Sequence, residues 1–204
     1  MNETTATPLR MRFGAVILAA GASTRMGRPK QALTVGGRPM VVRAAEAALE
    51  AGAWPVVVVV GAHAAEVTAL LARLPVLTVD NPAWPEGMAS SVRAGIDTLE
   101  RFSRELDGAL VAVCDQPAFG AESIGRLIEA RARTGRSIAA ARYRGRLGVP
   151  ALFGREEFAA LRTLTGEAGA RELLNGRPER VAAVEMPELE ADLDRPEDYA
   201  KIEQ

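Results

Sequence analysis

Val56-Val57-Val58-Val59-Val60 is the stretch that decides the fold. A strand with one face in water alternates apolar and polar residues; five β-branched apolar residues in a row leave no polar face. Both sides of this strand therefore need cover, as in a parallel sheet between two layers of helices. Ala15-Val16-Ile17-Leu18 and residues 109–113 repeat the pattern, and shorter strands fit 76–79 and 138–141. Between them, residues 40–51 space Val41, Ala44, Ala45, Ala48 and Leu49 along one helical face, and Gly52 ends the run. Helices also fit 63–73, 90–104 and 123–134. This β-α-β rhythm predicts an α/β fold: a doubly wound, mostly parallel sheet in three α/β/α layers. After residue 141 the rhythm changes. A hairpin is expected over 142–148, short helices over 156–164 and 170–174, a late strand over 181–184 and a closing helix over 196–202, with Pro196 in its first turn.

Composition narrows the possibilities. A chain of 204 residues fits a single domain. We place it at 12–204, after a polar, disordered tail of residues 1 to about 11. The tail lacks the apolar core of a signal peptide, and the apolar runs are too short to span a bilayer. Basic and acidic residues number 25 and 26, so no overall positive field favours nucleic acid. One cysteine excludes an internal disulfide and a multi-cysteine zinc site, and fits a reducing cytoplasm.

In doubly wound sheets ligands bind beyond the carboxyl ends of the strands. The loops after Leu18, Val60, Val79 and Val113 are therefore the candidate sites. The first reads Leu18-Ala19-Ala20-Gly21-Ala22-Ser23-Thr24-Arg25-Met26-Gly27-Arg28-Pro29-Lys30. Its glycines let backbone N–H groups approach an anion, and its cations offset phosphate charge. The Gly21-to-Gly27 spacing and the position of Lys30 exclude a P-loop, and the dinucleotide pattern G-x-G-x-x-G is absent. A plain glycine turn with solvated charges is the alternative. Asp115, in Cys114-Asp115-Gln116-Pro117, is either an oxygen ligand for Mg²⁺ or the cap of the next turn. Asp192 and Asp194 share a face of an extended segment, and are either a carboxylate pair for a cation or the N-cap cluster of the Pro196 helix.

Taken together these segments resemble the MobA-like NTP-transferase family, closest to its molybdenum cofactor cytidylyltransferases. The resemblance runs in the family's order through the 18–30 loop, the stretch from Asn81 through Gly87 to Arg93, Cys114 to Pro117, Gly148 to Phe153, Gly166 to Arg171 and Asp192 to Asp198. Ala19-Ala20-Gly21 and Gln116 resemble the cytidylyl branch. The chain departs from the family at Val149, where Asn or His is usual, and at Glu167, where Asp is usual. Both departures lie in the part expected to face the acceptor.

The resemblance implies a Rossmann-like nucleotidyltransferase fold and transfer of CMP from CTP to the phosphate of molybdopterin, with release of pyrophosphate. It implies Lys30, Arg25 and Asp115 as catalytic residues, Arg25 facing the β- and γ-phosphates and Lys30 the α-phosphate. Leu18, Ala19, Ala20, Gly21, Ser23, Met26, Gly27, Gly61, Asn81, Gly87 and Ser91 complete the nucleotide site. Asp115, Asp192 and Asp194 would hold Mg²⁺ or Mn²⁺; Gln116 and Arg171 would bind the acceptor. A molybdoenzyme is the partner expected to receive the product. Two alternatives stay open: a different phosphorylated acceptor, and a noncatalytic protein that delivers the cofactor. A nicotinamide-dependent dehydrogenase shares the fold, but the missing G-x-G-x-x-G speaks against it. His63, Cys114 and the arginines of 131–146 read as capping, packing and surface residues. Trp84 is either a lid over the ligand or a packing anchor.

Overall fold

The computed structural model describes residues 11–167, 169–193 and 196–200. In chain order the elements begin with β1 (Phe13–Ala19), a small hairpin of β2 (Thr34–Val35) and β3 (Arg38–Pro39), α1 (Met40–Glu50), β4 (Val56–Val60), α2 (Ala64–Leu71) and β5 (Leu77–Asp80). Then come α3 (Met88–Phe102), β6 (Gly108–Val113), α4 (Ala121–Thr134), β7 (Ile138–Tyr143) and β8 (Arg146–Gly154). α5 (Phe158–Leu161), α6 (Ala170–Gly176), β9 (Val181–Glu185) and α7 (Pro196–Ala200) complete the described chain.

Seven strands form one sheet in the order β5-β4-β1-β6-β8-β7-β9. All five valines of β4 are buried, as their unbroken run requires. Alternate residues feed two cores. Val56 and Val58 join α1, α2 and α4 on one face. Val57 and Val59 join α3, α5 and α6 on the other. Each buried valine contributes on the order of 1.5–3 kcal/mol relative to exposure, so the helix layers are fixed from both sides. Gly95 sets the closest approach: a Cβ there would lie 2.2 Å from Val16 Cγ1, so α3 can rest on β1 only without a side chain at that point. These are the expected three layers, and no helix among the described residues is long and apolar enough to cross a membrane.

The change of rhythm after residue 141 is a reversal of direction. β8 runs antiparallel to both β6 and β7, while β7 is parallel to β9. The register passes from Ala140↔Ala151 to Ala141↔Gly148, so Val149 and Pro150 fall where the ladder is interrupted. Pro150 has no N–H to contribute, and a break in the ladder is where a strand tolerates it. Because β8 is reversed, its first residues reach the sheet edge where the other strands end. Residues 1–10 of the expected tail lie outside the described residues, and Met11 packs against the first core.

Candidate active site

The loop leaving β1 is shaped by Gln31. This residue is 1% exposed. Its Nε2 donates to the carbonyls of Ala19 (3.1 Å) and Gly21 (2.8 Å), and its Oε1 accepts from the Ser23 hydroxyl (3.2 Å). Ser23 Oγ in turn accepts from the Lys30 N–H at 3.0 Å. Ser23 has φ 54° and Gly27 φ 71°, so the chain turns twice through left-handed backbone. Met26 is buried and packs with Leu33, Met40, Leu193 and Tyr199, pinning the loop from beneath. His63 Nε2 lies 3.1 Å from the Ala22 carbonyl. The side chain of His63 supports the loop and makes no cap bond to α2. Two carbonyls are thus turned inward and the cations Arg25 and Lys30 are left facing a cavity.

That cavity, of about 390 Å³, is lined by residues that include Leu18, Ala20, Gly21, Arg25, Lys30, Gly87, Ser91 and Asp115. A second cavity, of about 440 Å³, is lined by residues that include Arg25, Lys30, Asp115, Gln116, Tyr143, Gly148, Val149, Arg171 and Asp192. The two share Arg25, Lys30, Met88, Val113, Asp115 and Glu167. Lys30 Nζ forms an ion pair with Asp115 Oδ2 at this junction, with 21% and 16% of the two side chains exposed. Hydrogen bonds draw the C-terminal segment toward this junction: Leu193 N–H donates to the Asp115 carbonyl (3.0 Å) and Gln116 Nε2 to the Leu189 carbonyl (3.1 Å).

Other expected residues act around the cavities without lining them. The Ala19 carbonyl and the Ser23 hydroxyl serve the loop as described above. Gly61 carries no side chain because a Cβ there would come within 2.9 Å of Ala20 and of Trp84 Cδ1. Asn81 is buried; its Nδ2 donates to the hydroxyls of Ser90 (2.9 Å) and Ser91 (3.0 Å) and its Oδ1 accepts from the Ala83 N–H (3.1 Å). Gly87, by contrast, lines the first cavity; it has φ 108°, and a Cβ would lie 2.6 Å from the Gly166 carbonyl oxygen. Ala89 N–H donates to that same oxygen at 3.2 Å, joining the two halves of the chain above α3. Asp194 lies outside the described residues.

Burial lifts the Tyr143 phenol above its ordinary 10.0, and its hydroxyl donates to the Val149 carbonyl at 2.9 Å. Burial, and then the Asp115 charge, push the Cys114 thiol up to about 12. Such a thiol stays protonated and is no nucleophile at neutral pH. The second cavity therefore brings together Arg171, Asp192, Asp115 and Lys30. Nothing in the sequence spacing marks Gln31 as a glutamine that folds back on the loop before it. Glu167 stands out in the sequence only as a departure from the family, and the fold places it in the lining of both cavities.

Residues 15–183 match the family described as the MobA-like NTP transferase domain. The chain belongs to this family. As a MobA-like protein it is an enzyme of the nucleotidyltransferase superfamily. Among its relatives is the nicotine blue oxidoreductase of Paenarthrobacter nicotinovorans, 38% identical over an alignment of 176 residues that covers 80% of this chain and 81% of that protein. The bifunctional protein GlmU of Anaeromyxobacter sp. (strain Fw109-5) is 37% identical over 140 residues, but the chain spans only 28% of its length. Among solved structures, Rv0371c from Mycobacterium tuberculosis H37Rv has a TM-score of 0.79 at 28% identity, covering 95% of this chain and 99% of that one. A nucleotidyl transferase from Methanothermobacter thermautotroptrophicus has a TM-score of 0.77 at 25% identity, covering 94% and 95%. Rv0371c has also been solved in complex with manganese (TM-score 0.73, 26% identity, covering 94% and 97%).

Proposed function

We propose that this MobA-like chain transfers CMP from CTP to the phosphate of a molybdopterin-type acceptor. An acceptor oxygen attacks the α-phosphorus, the bond from the α-phosphorus to the bridging oxygen breaks, and pyrophosphate leaves. The observation that carries this reading is the junction: two cavities of comparable size meet at Arg25, Lys30 and Asp115. Such a transfer needs donor and acceptor positioned together with their phosphates meeting at one charged point, and two adjoining cavities with a charged junction suit that need.

In this reading the Gly21 loop receives the triphosphate, with Arg25 toward the leaving phosphates and Lys30 toward the α-phosphate. Arg171 holds the acceptor phosphate in the second chamber. Charges this close repel strongly in a partly dry site, so fixed cations lower the barrier more than covalent chemistry would. Asp115 and Asp192 line one cavity and offer the oxygen donors that Mg²⁺ or Mn²⁺ prefers, with phosphate oxygens and water to complete the set. Asp194 is proposed with them. A bound divalent cation would neutralise phosphate charge and polarise the reacting phosphorus. The cytidine preference rests on Ala19-Ala20-Gly21 and Gln116, and the molybdopterin acceptor on the family resemblance. A molybdoenzyme that takes the product is the proposed partner.

A second reading is favoured by one observation, the nicotine blue oxidoreductase relative. In it the same loop would grip the pyrophosphate of a redox dinucleotide, and the missing G-x-G-x-x-G would not exclude this. Pyrophosphate release with Mg²⁺, each NTP being paired with molybdopterin or with simple phosphate esters, tests the first reading. Release with CTP and molybdopterin supports it, and release only with another ester reassigns the acceptor. No release with any pair, together with oxidation of a reduced nicotinamide whose hydride is taken up by added nicotine blue, moves the protein to the second reading. Tight nucleotide binding without either reaction makes it a delivery protein.

A further inference from the structure

The wall of the nucleotide cavity has two characters. The part shared with the second cavity is charged. The part it does not share contains Leu18, Ala20, Trp84 and Pro85, an apolar strip with one large aromatic ring. Trp84 is half-buried and begins a single 3₁₀ turn, Trp84–Glu86. Its backbone N–H donates to the Asn81 carbonyl at 3.1 Å, and the Asn81 side chain ties the same segment to Ser90 and Ser91. The indole is backed by Gly61, where any side chain would collide with it. None of the three apolar core clusters includes Trp84, whether among buried members or partly buried neighbours. A tryptophan that anchored packing would belong to one of them. This ring stands in a cavity wall on a turn tied down by Asn81, and among the described residues it joins none of these cores.

We propose that Trp84 is the platform on which the nucleobase of the bound nucleoside triphosphate stacks. This rests on the nucleotide-transfer reading. With the phosphates at Arg25 and Lys30, the ribose and base extend into the unshared, apolar part of the cavity. Stacking is sequence-tolerant because every base has a π-face. Trp84 therefore contributes affinity for the nucleoside without choosing the base, and its loss weakens pyrimidine and purine nucleotides alike by about 10- to 100-fold.

The chain has two tryptophans. Trp54 packs edge-on against Phe102 in a different cavity wall, so Trp54→Phe leaves Trp84 as the sole indole emitter. In this variant CTP is expected to quench emission saturably, whereas tripolyphosphate, which lacks a base, competes with CTP and leaves emission unchanged. In the otherwise unaltered chain, Trp84→Ala should weaken CTP about 10- to 100-fold by calorimetry, leave tripolyphosphate unaffected, and be largely rescued by Trp84→Phe. CTP binding without a change in Trp84 emission overturns the platform and leaves the nucleotide reading standing. Equal weakening of CTP and tripolyphosphate by Trp84→Ala also overturns it, because the residue would then be shaping the loop. Failure of the unaltered protein to bind any NTP or tripolyphosphate overturns both.

Discussion

The side-chain amide of Gln31 donates to the carbonyl of Gly21, ten residues back along the chain, at 2.8 Å. The same amide holds Ala19, and its oxygen accepts from Ser23. One buried side chain thereby sets the curvature of the proposed triphosphate loop. Gln31→Leu keeps the volume but strands these groups, at a cost of about 1–3 kcal/mol per unsatisfied buried group. We expect a lower urea midpoint and weaker NTP binding. Unchanged nucleotide affinity in the folded variant would remove Gln31 from any part in shaping the site.

Lys30 and Asp115 neutralise each other across the junction of the two cavities. Lys30→Ala is expected to lower kcat by about 10²- to 10³-fold, the scale of losing one preorganised charged donor. Asp115→Ala should abolish the dependence on Mg²⁺. Residues in direct contact are not independent, so the double variant should lose less than the product of the two single losses. Steady-state rates over a Mg²⁺ series check both points; strictly multiplicative losses would argue against a shared function.

Two glycines of the site make opposite predictions. Gly87 is left-handed and faces the Gly166 carbonyl, so Gly87→Ala should cost at least about 1–3 kcal/mol and loosen the link between the chain's halves. Gly21 has no heavy atom near the position of a Cβ and lines the proposed nucleotide cavity. Gly21→Ala should fold normally and bind NTP less well. Thermal melts alongside nucleotide titrations separate the two effects, and a destabilised Gly21→Ala with normal binding would reverse the assignment.

Cys114 offers a pH-dependent readout. Folding raises its thiol from the ordinary 9.0 to about 12, chiefly through burial. The folded state thus keeps a proton that the unfolded state releases. The stability from this group is complete below pH 9.0 and is lost as pH climbs through about 12. At pH 8 the native thiolate fraction is on the order of 10⁻⁴. Iodoacetamide should leave the native protein unmodified and label it fully in urea, as read by mass spectrometry. Rapid native labelling would contradict the burial.

The sheet was legible where the sequence was locally unambiguous. The valine run of β4 and the periodic face of α1 each specify one structure, and both appear within a residue of the expected bounds. β8 was hidden because Gly148 and Pro150 speak against a strand, and only pairing with β6 and β7 overrides them. The same distinction divides the site. Arg25, Lys30 and Asp115 stand in loops that follow strands, so topology alone brings them together. Gln31 and Glu167 depend on side-chain paths and long-range contacts that no short window of sequence contains. Trp84 was visible, but its meaning depends on which cores leave it out.

The reversal of β8 has a consequence for how such an enzyme can change. The turn at Arg144 and Gly145 that feeds β8 is an exposed hairpin tip, and Gly148 and Val149 lie just beyond it in the wall of the second cavity. Hairpin tips accept insertions and deletions more readily than buried strands do. Under the proposed function, the nucleotide half is locked to five buried valines and a folded-back glutamine, with little freedom to drift. A lineage with that function can therefore lengthen or trim one surface turn to admit a new acceptor while inheriting its donor chemistry intact.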